Sequence, residues 1–307
     1  MDTAGLPSQI VPILSGGGTR LPCYVGILQA LQDMDVGYEI VVGVSGGSIV
    51  AALAALGWGV PQMQALAYET DFEQFRGYSA ISLLRSGGLC SGDGFERWMD
   101  ERLQGATFAD LPKSLHVLAT DINGGGPVVF NRALTPTMKV SRAVRYSMSI
   151  PLVFAFKTFE GHVMADGVIL AEDALHQDWS GDGTPAVCFR LRSQPQRKTQ
   201  LQTNRFLPLL TYVQLLVQTF MHAMAREYVH AEYWHSTIVV NTGDISPVNF
   251  SLPLATKKQL HEWGYGTTRE FLPRKLAAHL SAQQVATLPG ALSSPPAAAA
   301  RERTPIR

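Results

Sequence analysis

Residues 38–56, YEIVVGVSGGSIVAALAAL, place a glycine-rich turn between an apolar run and an alanine-rich segment. The run Tyr38–Val42 has the length and composition of a buried strand, and the alanines that follow favour a helix as far as Leu56. Between them, Gly43–Gly47 reads GVSGG and matches the pattern GxSxG, which exposes a serine side chain where a strand meets a helix. Ser45 is therefore a candidate nucleophile. A tight glycine turn without chemistry is the alternative, because so short a motif also occurs by chance.

A similar unit precedes this one in the chain. The apolar run Gln9–Leu14 leads into residues 15–20, SGGGTR, and helically spaced apolar residues then continue to Met34. Backbone N–H groups at such a turn attract negative charge. A nucleotide phosphate would require GxGxxG or GxxxxGK[ST], and neither pattern is present. An oxyanion hole requires only backbone donors beside the serine, to which the N–H of Gly46 adds another, and this interpretation is favoured.

The rest of the chain alternates strands with helices, which predicts an α/β layered fold. Between Pro61 and Leu103 the pattern is helical, interrupted by a glycine- and serine-rich loop at Ser86–Gly94 that is a candidate rim or lid. A hairpin is expected across DINGGG at residues 121–126. The further predicted strands are Leu115–Thr120, Val128–Phe130, Phe154–Phe159, His162–Ala165, Val187–Leu191 and Thr237–Asn241, and the further predicted helices are Lys139–Met148 and Phe206–Trp234.

The composition indicates a well-packed globular chain with no global charge preference. Apolar residues make up 46% and charged residues 16% of 307 residues, and 25 basic residues balance 25 acidic ones. This balance argues against a nucleic-acid partner. The three cysteines, Cys23, Cys90 and Cys188, are widely spaced and form no CxxC or Cys/His pattern, so neither disulfides nor a metal site is indicated and no cofactor is expected.

Localisation and domain organisation follow from the two ends of the sequence. The first 14 residues lack the basic and apolar regions of a signal peptide, so a reducing, cytoplasmic location is expected. Residues 1–287 are expected to form one domain. Residues 288–307 are rich in proline and alanine, and we expect a flexible tail.

A serine nucleophile requires a base to accept its proton. None of the histidines stands in the order of serine, acid and histidine that is found in α/β-hydrolases. His162 lies four residues before Asp166 and is the histidine to test as a base. The eight histidines are His116, His162, His176, His222, His230, His235, His261 and His279.

Four ordered sequence blocks between Ile10 and Asp173 resemble the patatin-like phospholipase family, which uses a Ser–Asp dyad without histidine. These blocks are GGGTR at 16–20, GVSGG at 43–47, LATDINGGGPVVF at 118–130, and SRAVRYSMSIPLVFAF at 141–156 followed by ADGV at 165–168. Four blocks in order are far more specific than any one of them. The chain departs from the family at Leu21 and Val168, where small residues are common, which weakens any substrate preference inferred from the family.

The resemblance implies a three-layer α/β/α sandwich with a mainly parallel central sheet and no cofactor. It makes Ser45 the nucleophile and Asp166 the base. An ordinary aspartate is a weak base, so the mechanism requires a short Ser–Asp hydrogen bond and a partly desolvated site. Gly16, Gly17 and Gly18 become oxyanion donors. Two roles stay open for Arg20, which either binds a head-group phosphate or carboxylate or pairs with a nearby acid.

The implied activity is a phospholipase A-like hydrolysis of acyl esters through an acyl-enzyme, with a lipid ester, in particular a phospholipid, as substrate. Acyl transfer to another acceptor would use the same residues. A regulatory or binding protein of the same fold, silent until activated, is the alternative from another class. The apolar segment Leu207–Tyr228 is expected to pack in the core, to line an acyl pocket or to contact a membrane at its periphery.

Overall fold

The computed structural model describes residues 7–75, 87–171, 175–193 and 231–286, together with positions 212, 215, 216 and 219. The strands in these ranges are β1 Val11–Ser15, β2 Ile40–Val44, β3 Gly88–Cys90, β4 Ser114–Asp121, β5 Gly126–Phe130, β6 Leu152–Phe154, β7 Lys157–Phe159, β8 His162–Ala165, β9 Ala186–Arg192 and β10 Thr237–Asn241. The α-helices are α1 Leu21–Asp33, α2 Gly46–Ala55, α3 Val60–Glu69, α4 Asp93–Arg102, α5 Val140–Ser147 and α6 Leu254–Ala286.

A central, mostly parallel sheet organises the fold, as the alternation of strands and helices predicts. Its order is β10-β9-β1-β2-β4-β8-β7, and β5 pairs with β4 as the predicted hairpin. The strands from β10 to β4 are parallel, whereas β8 and β7 run antiparallel to their neighbours. Parallel pairing of β1, β2 and β4 aligns Ser15 with Val44 and Val44 with Leu118. The carboxyl ends of these three strands therefore meet at one edge of the sheet.

The inner strands β1 and β2 are buried on both faces of the sheet, which explains why they are apolar along most of their length. In β4, Leu115 and Val117 join the larger core cluster with α1 and α2, while Leu118 points to a smaller cluster on the opposite face. The smaller cluster also contains Val42 and Val44 of β2. The two-residue period thus divides each strand between two cores.

Two predictions around the second, smaller sheet are wrong. The Ser86–Gly94 segment is not a continuous loop, because its residues 88–90 form β3, parallel to β6; Ser86 itself lies outside the described residues. The predicted strand Phe154–Phe159 is two strands: β6 pairs with β3, and β7 pairs with β8 in the main sheet. Gly88 permits the close pairing of β3 with β6, since a Cβ on Gly88 would lie 2.1 Å from the Phe154 carbonyl carbon.

Helix α6 has no counterpart among the predicted elements. Gly264, Gly266 and Pro273 interrupt its sequence pattern, yet the helix continues through all three. It packs against α1 at very short range, because a Cβ on Gly264 would lie 2.0 Å from the Cys23 carbonyl oxygen and one on Gly26 would lie 2.1 Å from the His261 oxygen. Gly264 and Gly26 therefore allow the backbones of α6 and α1 to come into contact.

The predicted helix Phe206–Trp234 is largely outside the described residues. Positions 212, 215, 216 and 219 are helical, and Ala231–Ser236 is a 3₁₀ turn that leads into β10. The Leu207–Tyr228 segment and the 288–307 tail therefore stay predictions. None of the described helices is long and apolar enough to cross a bilayer.

Substituting Gly264→Ala is expected to lower the free energy of unfolding by about 2 kcal/mol or more, because its Cβ would overlap the α1 backbone. The matched control is Gly266→Ala on the same helix, where a Cβ meets nothing within 4 Å. There the higher helix propensity of alanine should leave stability unchanged or raise it by up to about 1 kcal/mol. Urea unfolding of the two variants and the wild type measures the difference; equal stabilities would contradict the predicted contact.

Candidate active site

Ser45 occupies a strained turn between β2 and α2. Its φ is 51° and its ψ is −130°, a conformation that non-glycine residues rarely adopt. The following glycines are required by space: a Cβ on Gly46 would lie 2.2 Å from the Gly18 oxygen, and one on Gly47 would lie 2.0 Å from the Leu14 oxygen. The GxSxG pattern therefore forms the sharp turn that its sequence predicts.

The structure brings Ser45 and Asp166 together. The Ser45 hydroxyl donates to Asp166 Oδ2 over 2.6 Å, and the two residues are 0% and 1% exposed. Asp166 follows β8, and its other oxygen, Oδ1, accepts a hydrogen bond from the Val168 N–H at 3.0 Å. Its backbone is held as well, since its N–H donates to the Ser149 oxygen and its carbonyl accepts from the Thr120 hydroxyl. The carboxylate thus has one orientation, towards Ser45.

Burial changes the acid–base properties of this carboxyl group. Desolvation penalises the charged form and raises the pKa of Asp166 from 3.8 to about 6, against the opposing effect of the hydrogen bonds from Ser45 and Val168. A pKa in this range suits a general base at neutral pH, because the group is ionised and still binds a proton usefully.

Sequence reasoning missed Ser147 and Met148, at the end of α5. The Ser45 N–H donates to Ser147 Oγ at 2.8 Å, and Ser147 Oγ donates to the Leu118 oxygen at 2.5 Å. Ser147 thereby connects the Ser45 turn to β4. Met148 Sδ lies 3.9 Å from Ser45 Oγ and provides an apolar wall. The only sequence signal for these two residues was their position in the block at 141–156, which resembles the family and precedes Asp166.

The glycine loop at residues 16–18 lies against the Ser45 turn. Gly16, Gly17 and Gly18 have φ values of 79°, 98° and 55°, in the left-handed region that favours glycine. The Gly16 N–H donates to the Val44 oxygen at 3.0 Å, so it is already occupied within the sheet. Among the described residues, no acceptor is present for the N–H groups of Gly17, Gly18 or Gly46.

Among the residues that the structure describes, Arg20 binds neither an acid nor an open surface, the two roles that its sequence position left open. It is 1% exposed and contacts no carboxylate among the described residues. Its Nε donates to the Gly17 oxygen at 2.9 Å and its Nη1 donates to Thr242 Oγ1 at 2.6 Å, while Nη2 lies 3.4 Å from the Leu191 oxygen. Burial lowers its pKa to about 10. Arg20 therefore binds the glycine loop rather than an acid or a head group.

His162 is not placed beside Ser45. Its Nδ1 lies 2.7 Å from Asp121 Oδ2, at the end of β4. Within the described ranges, the side-chain contacts of the Ser45 hydroxyl are Asp166 and Met148, and no histidine is among them. Among these described contacts, the base next to the Ser45 hydroxyl is a carboxylate.

The fold is similar to that of VipD from Legionella pneumophila. The TM-score is 0.59 at 17% sequence identity, over 89% of this chain and 67% of that one. Similarity at this level of identity concerns the fold alone.

Sequence relatives of nearly the same length occur in distant organisms. The uncharacterized protein R571 of Acanthamoeba polyphaga mimivirus is 27% identical over 280 residues, which are 84% of this chain and 91% of that protein. The uncharacterized protein YqhO of Bacillus subtilis (strain 168) is 27% identical over 284 residues, or 85% and 97% of the two chains.

The family comparison covers the same region as the motifs. The model for patatin-like phospholipase matches residues 13–178, which include both glycine turns, Ser45 and Asp166. This match extends over more than half of the 307 residues. The chain belongs to the patatin-like phospholipase family of ester-hydrolysing enzymes.

Proposed function

We propose that the protein is a lipid acyl hydrolase, phospholipase A-like, that uses Ser45 and Asp166 as a catalytic dyad. The observation that carries the proposal is the 2.6 Å hydrogen bond from the Ser45 hydroxyl to a buried carboxylate. A serine becomes nucleophilic only when a base accepts its proton, and Asp166 is in contact with that proton. Its raised pKa, about 6, supports the same role.

In the first step, Ser45 Oγ attacks the carbonyl carbon of the ester while its proton moves to Asp166 Oδ2. The tetrahedral intermediate then collapses, the bond between the acyl carbon and the alcohol oxygen breaks, and the leaving alcohol takes the proton from Asp166. The acyl group stays on Ser45 as an ester. For a phospholipid substrate, the leaving alcohol is a lysophospholipid.

In the second step, water attacks the acyl-enzyme and gives a proton to Asp166. Collapse of this intermediate releases a fatty acid, and the proton returns to Ser45 Oγ. An alcohol that replaced water would produce acyl transfer through the same residues. Product analysis with and without a lysophospholipid or alcohol acceptor separates the two reactions.

Negative charge on the carbonyl oxygen requires backbone donors next to Ser45. The N–H groups of Gly17, Gly18 and Gly46 are proposed for this role, and Gly16 is not, because its N–H donates to Val44. Gly46 is also the first residue of α2, so the positive end of the helix dipole favours the same charge.

A lipid substrate is supported by the family and by the apolar wall at Met148, which is 3.9 Å from the nucleophile. Ser45 and Asp166 are almost completely buried, so the acyl ester reaches them only after neighbouring residues move. Since such esters reside in bilayers, we expect the protein to act in the cytoplasm at the periphery of a membrane. Arg20 is committed to the protein backbone and Thr242, so head-group recognition must use other residues.

Labelling with a fluorophosphonate probe tests the dyad. The wild type should be labelled in the presence of lipid or detergent, Ser45→Ala should not be labelled, and Asp166→Asn should react at least about 100-fold more slowly because the base is lost. Ser251→Ala removes an exposed hydroxyl outside the site and serves as the control. Absence of wild-type labelling under every condition contradicts the hydrolase proposal, and unchanged labelling of Asp166→Asn contradicts the dyad.

The pH dependence of kcat/KM should show a limb with an apparent pKa of about 6, the value for Asp166. Below that pH the carboxyl group is protonated and cannot accept the Ser45 proton, so the rate should fall about tenfold per pH unit. Since histidines titrate in the same range, the control is His162→Gln, which should retain the limb. Loss of the limb in His162→Gln would instead assign it to the imidazole.

Asp166 should also make stability depend on pH. Because its pKa is higher in the folded state, about 6 against 3.8, the folded protein holds this proton more tightly, and stability falls as the pH rises through this interval. The loss is about 3 kcal/mol above pH 6. Asp166→Asn should therefore raise Tm at pH 7 to 8, with the difference vanishing near pH 4 in thermal unfolding.

The control for this measurement is Asp93→Asn. The hydrogen bond from Lys157 lowers the pKa of Asp93, so its ionised form stabilises the fold and its removal should not raise Tm. A Tm of Asp166→Asn equal to or below that of the wild type at pH 7 would show that the buried carboxylate carries no such cost.

A further inference from the structure

We propose that the segment Thr242–Asn249 contributes to catalysis, because it holds the glycine loop at residues 16–18 in the conformation that binds the oxyanion. This segment follows β10 and lies outside the region, residues 13–178, that the family model matches. The inference rests on the proposed function. It assigns Thr242 as a positioning residue that acts through Arg20.

The first connection runs from Thr242 to the peptide between Gly17 and Gly18. Thr242 Oγ1 accepts from Arg20 Nη1 at 2.6 Å, and the Arg20 Nε and backbone N–H both donate to the Gly17 oxygen, at 2.9 and 3.1 Å. The Gly17 carbonyl and the Gly18 N–H belong to one planar trans peptide and point in opposite directions. Because Arg20 binds the Gly17 carbonyl, the Gly18 N–H points away from Arg20.

Thr242 is itself fixed to the sheet. Its hydroxyl donates to the Arg192 oxygen at 3.1 Å, and its N–H donates to the same oxygen at 2.8 Å. Arg192 ends β9, in which residues 188–192 pair with β10. The Thr242 hydroxyl thus connects the edge of the sheet to the buried guanidinium, and it is 0% exposed.

The second connection runs from Pro247 and Asn249 to Thr19. The Thr19 N–H donates to the Pro247 oxygen at 3.0 Å, and its hydroxyl donates to the Asn249 oxygen at 2.7 Å. Pro247 also lies directly against Gly18, where a Cβ would be 2.0 Å from its oxygen. On its other side Gly18 touches Gly46, so the loop is confined between the nucleophile turn and this segment.

Packing makes the segment a firm support. Ile245 packs against the main core, and Val248 packs against the cluster formed by β3, β6 and Ile150. Phe250, the next residue after the segment, contacts both clusters. Three consecutive glycines have little conformational preference of their own, so their geometry must come from such external contacts.

Thr242→Val tests the inference, because it keeps the side-chain shape and removes the hydroxyl that accepts from Arg20. We expect kcat for ester hydrolysis to fall about ten- to a hundredfold through misplacement of the loop, with KM changed less than about twofold. Thr242→Ser retains the hydroxyl and should restore kcat. Relative rates on matched esters and thionoesters give a second readout: sulfur binds poorly in an oxyanion hole, so the preference for the carbonyl ester should decrease in Thr242→Val.

The matched control is Thr268→Val on α6. Thr268 is also 0% exposed, and its hydroxyl donates to the Gly264 oxygen away from the site. This control should lose stability but keep kcat and the preference for the carbonyl ester. If Thr242→Val does not fold, Thr19→Val removes the bond to Asn249 from the loop side, with Thr19→Ser as its rescue.

The outcomes separate the two proposals. In one outcome the wild type hydrolyses esters, and Thr242→Val, or Thr19→Val in its place, retains kcat and the preference for the carbonyl ester as Thr268→Val does. That outcome overturns the positioning role and leaves the hydrolase proposal intact. If the wild type neither hydrolyses esters nor reacts with fluorophosphonate, the proposed function fails and this inference fails with it. A fall in kcat and in carbonyl preference, with rescue by serine, supports the inference.

Discussion

The candidate site depends on contact between two backbone turns at the ends of β1 and β2. The Gly47 N–H donates to the Gly16 oxygen at 2.9 Å, and Gly46 has no room for a side chain because a Cβ there would lie 2.2 Å from the Gly18 oxygen. Parallel pairing of the two strands puts the turns at the same edge of the sheet. The proposed nucleophile and the proposed oxyanion donors are therefore positioned by main-chain geometry, which side-chain rotamers cannot disturb.

In the proposed mechanism, the buried Asp166 carboxylate makes Ser45 reactive at the expense of stability. Desolvation raises the pKa of Asp166, while hydrogen bonds from Ser45 and Val168 hold the carboxylate in place. Ser147 supplies a further connection from the Ser45 turn to β4. Strain at Ser45 and desolvation at Asp166 meet at one point of an otherwise well-packed fold, as is common where function and stability compete.

The two sides of the site originate far apart in the chain. Arg20 and Thr242 are separated by 222 positions in the chain. Their hydrogen bond connects the first glycine loop to the residue that follows β10. A buried guanidinium requires hydrogen-bond acceptors, and here they are a threonine hydroxyl and backbone carbonyls. Arg20, the charged residue closest to the glycine motif, thus binds the protein's own loop, and the backbone N–H groups of that loop are proposed to meet the substrate.

Local patterns in the sequence were sufficient for the α/β class and the turn at Ser45, because apolar runs and glycine turns are properties of neighbouring residues. The pairing of Ser45 with Asp166 was a hypothesis that came from the resemblance of four ordered sequence blocks to the family. Only the tertiary structure decided that the Gly16 N–H is occupied and that Arg20 faces inward. It also divided residues 154–159 between two sheets and extended α6 through its glycines. These features depend on contacts between distant segments, and no local periodicity records which segment a strand, a glycine or a guanidinium will meet.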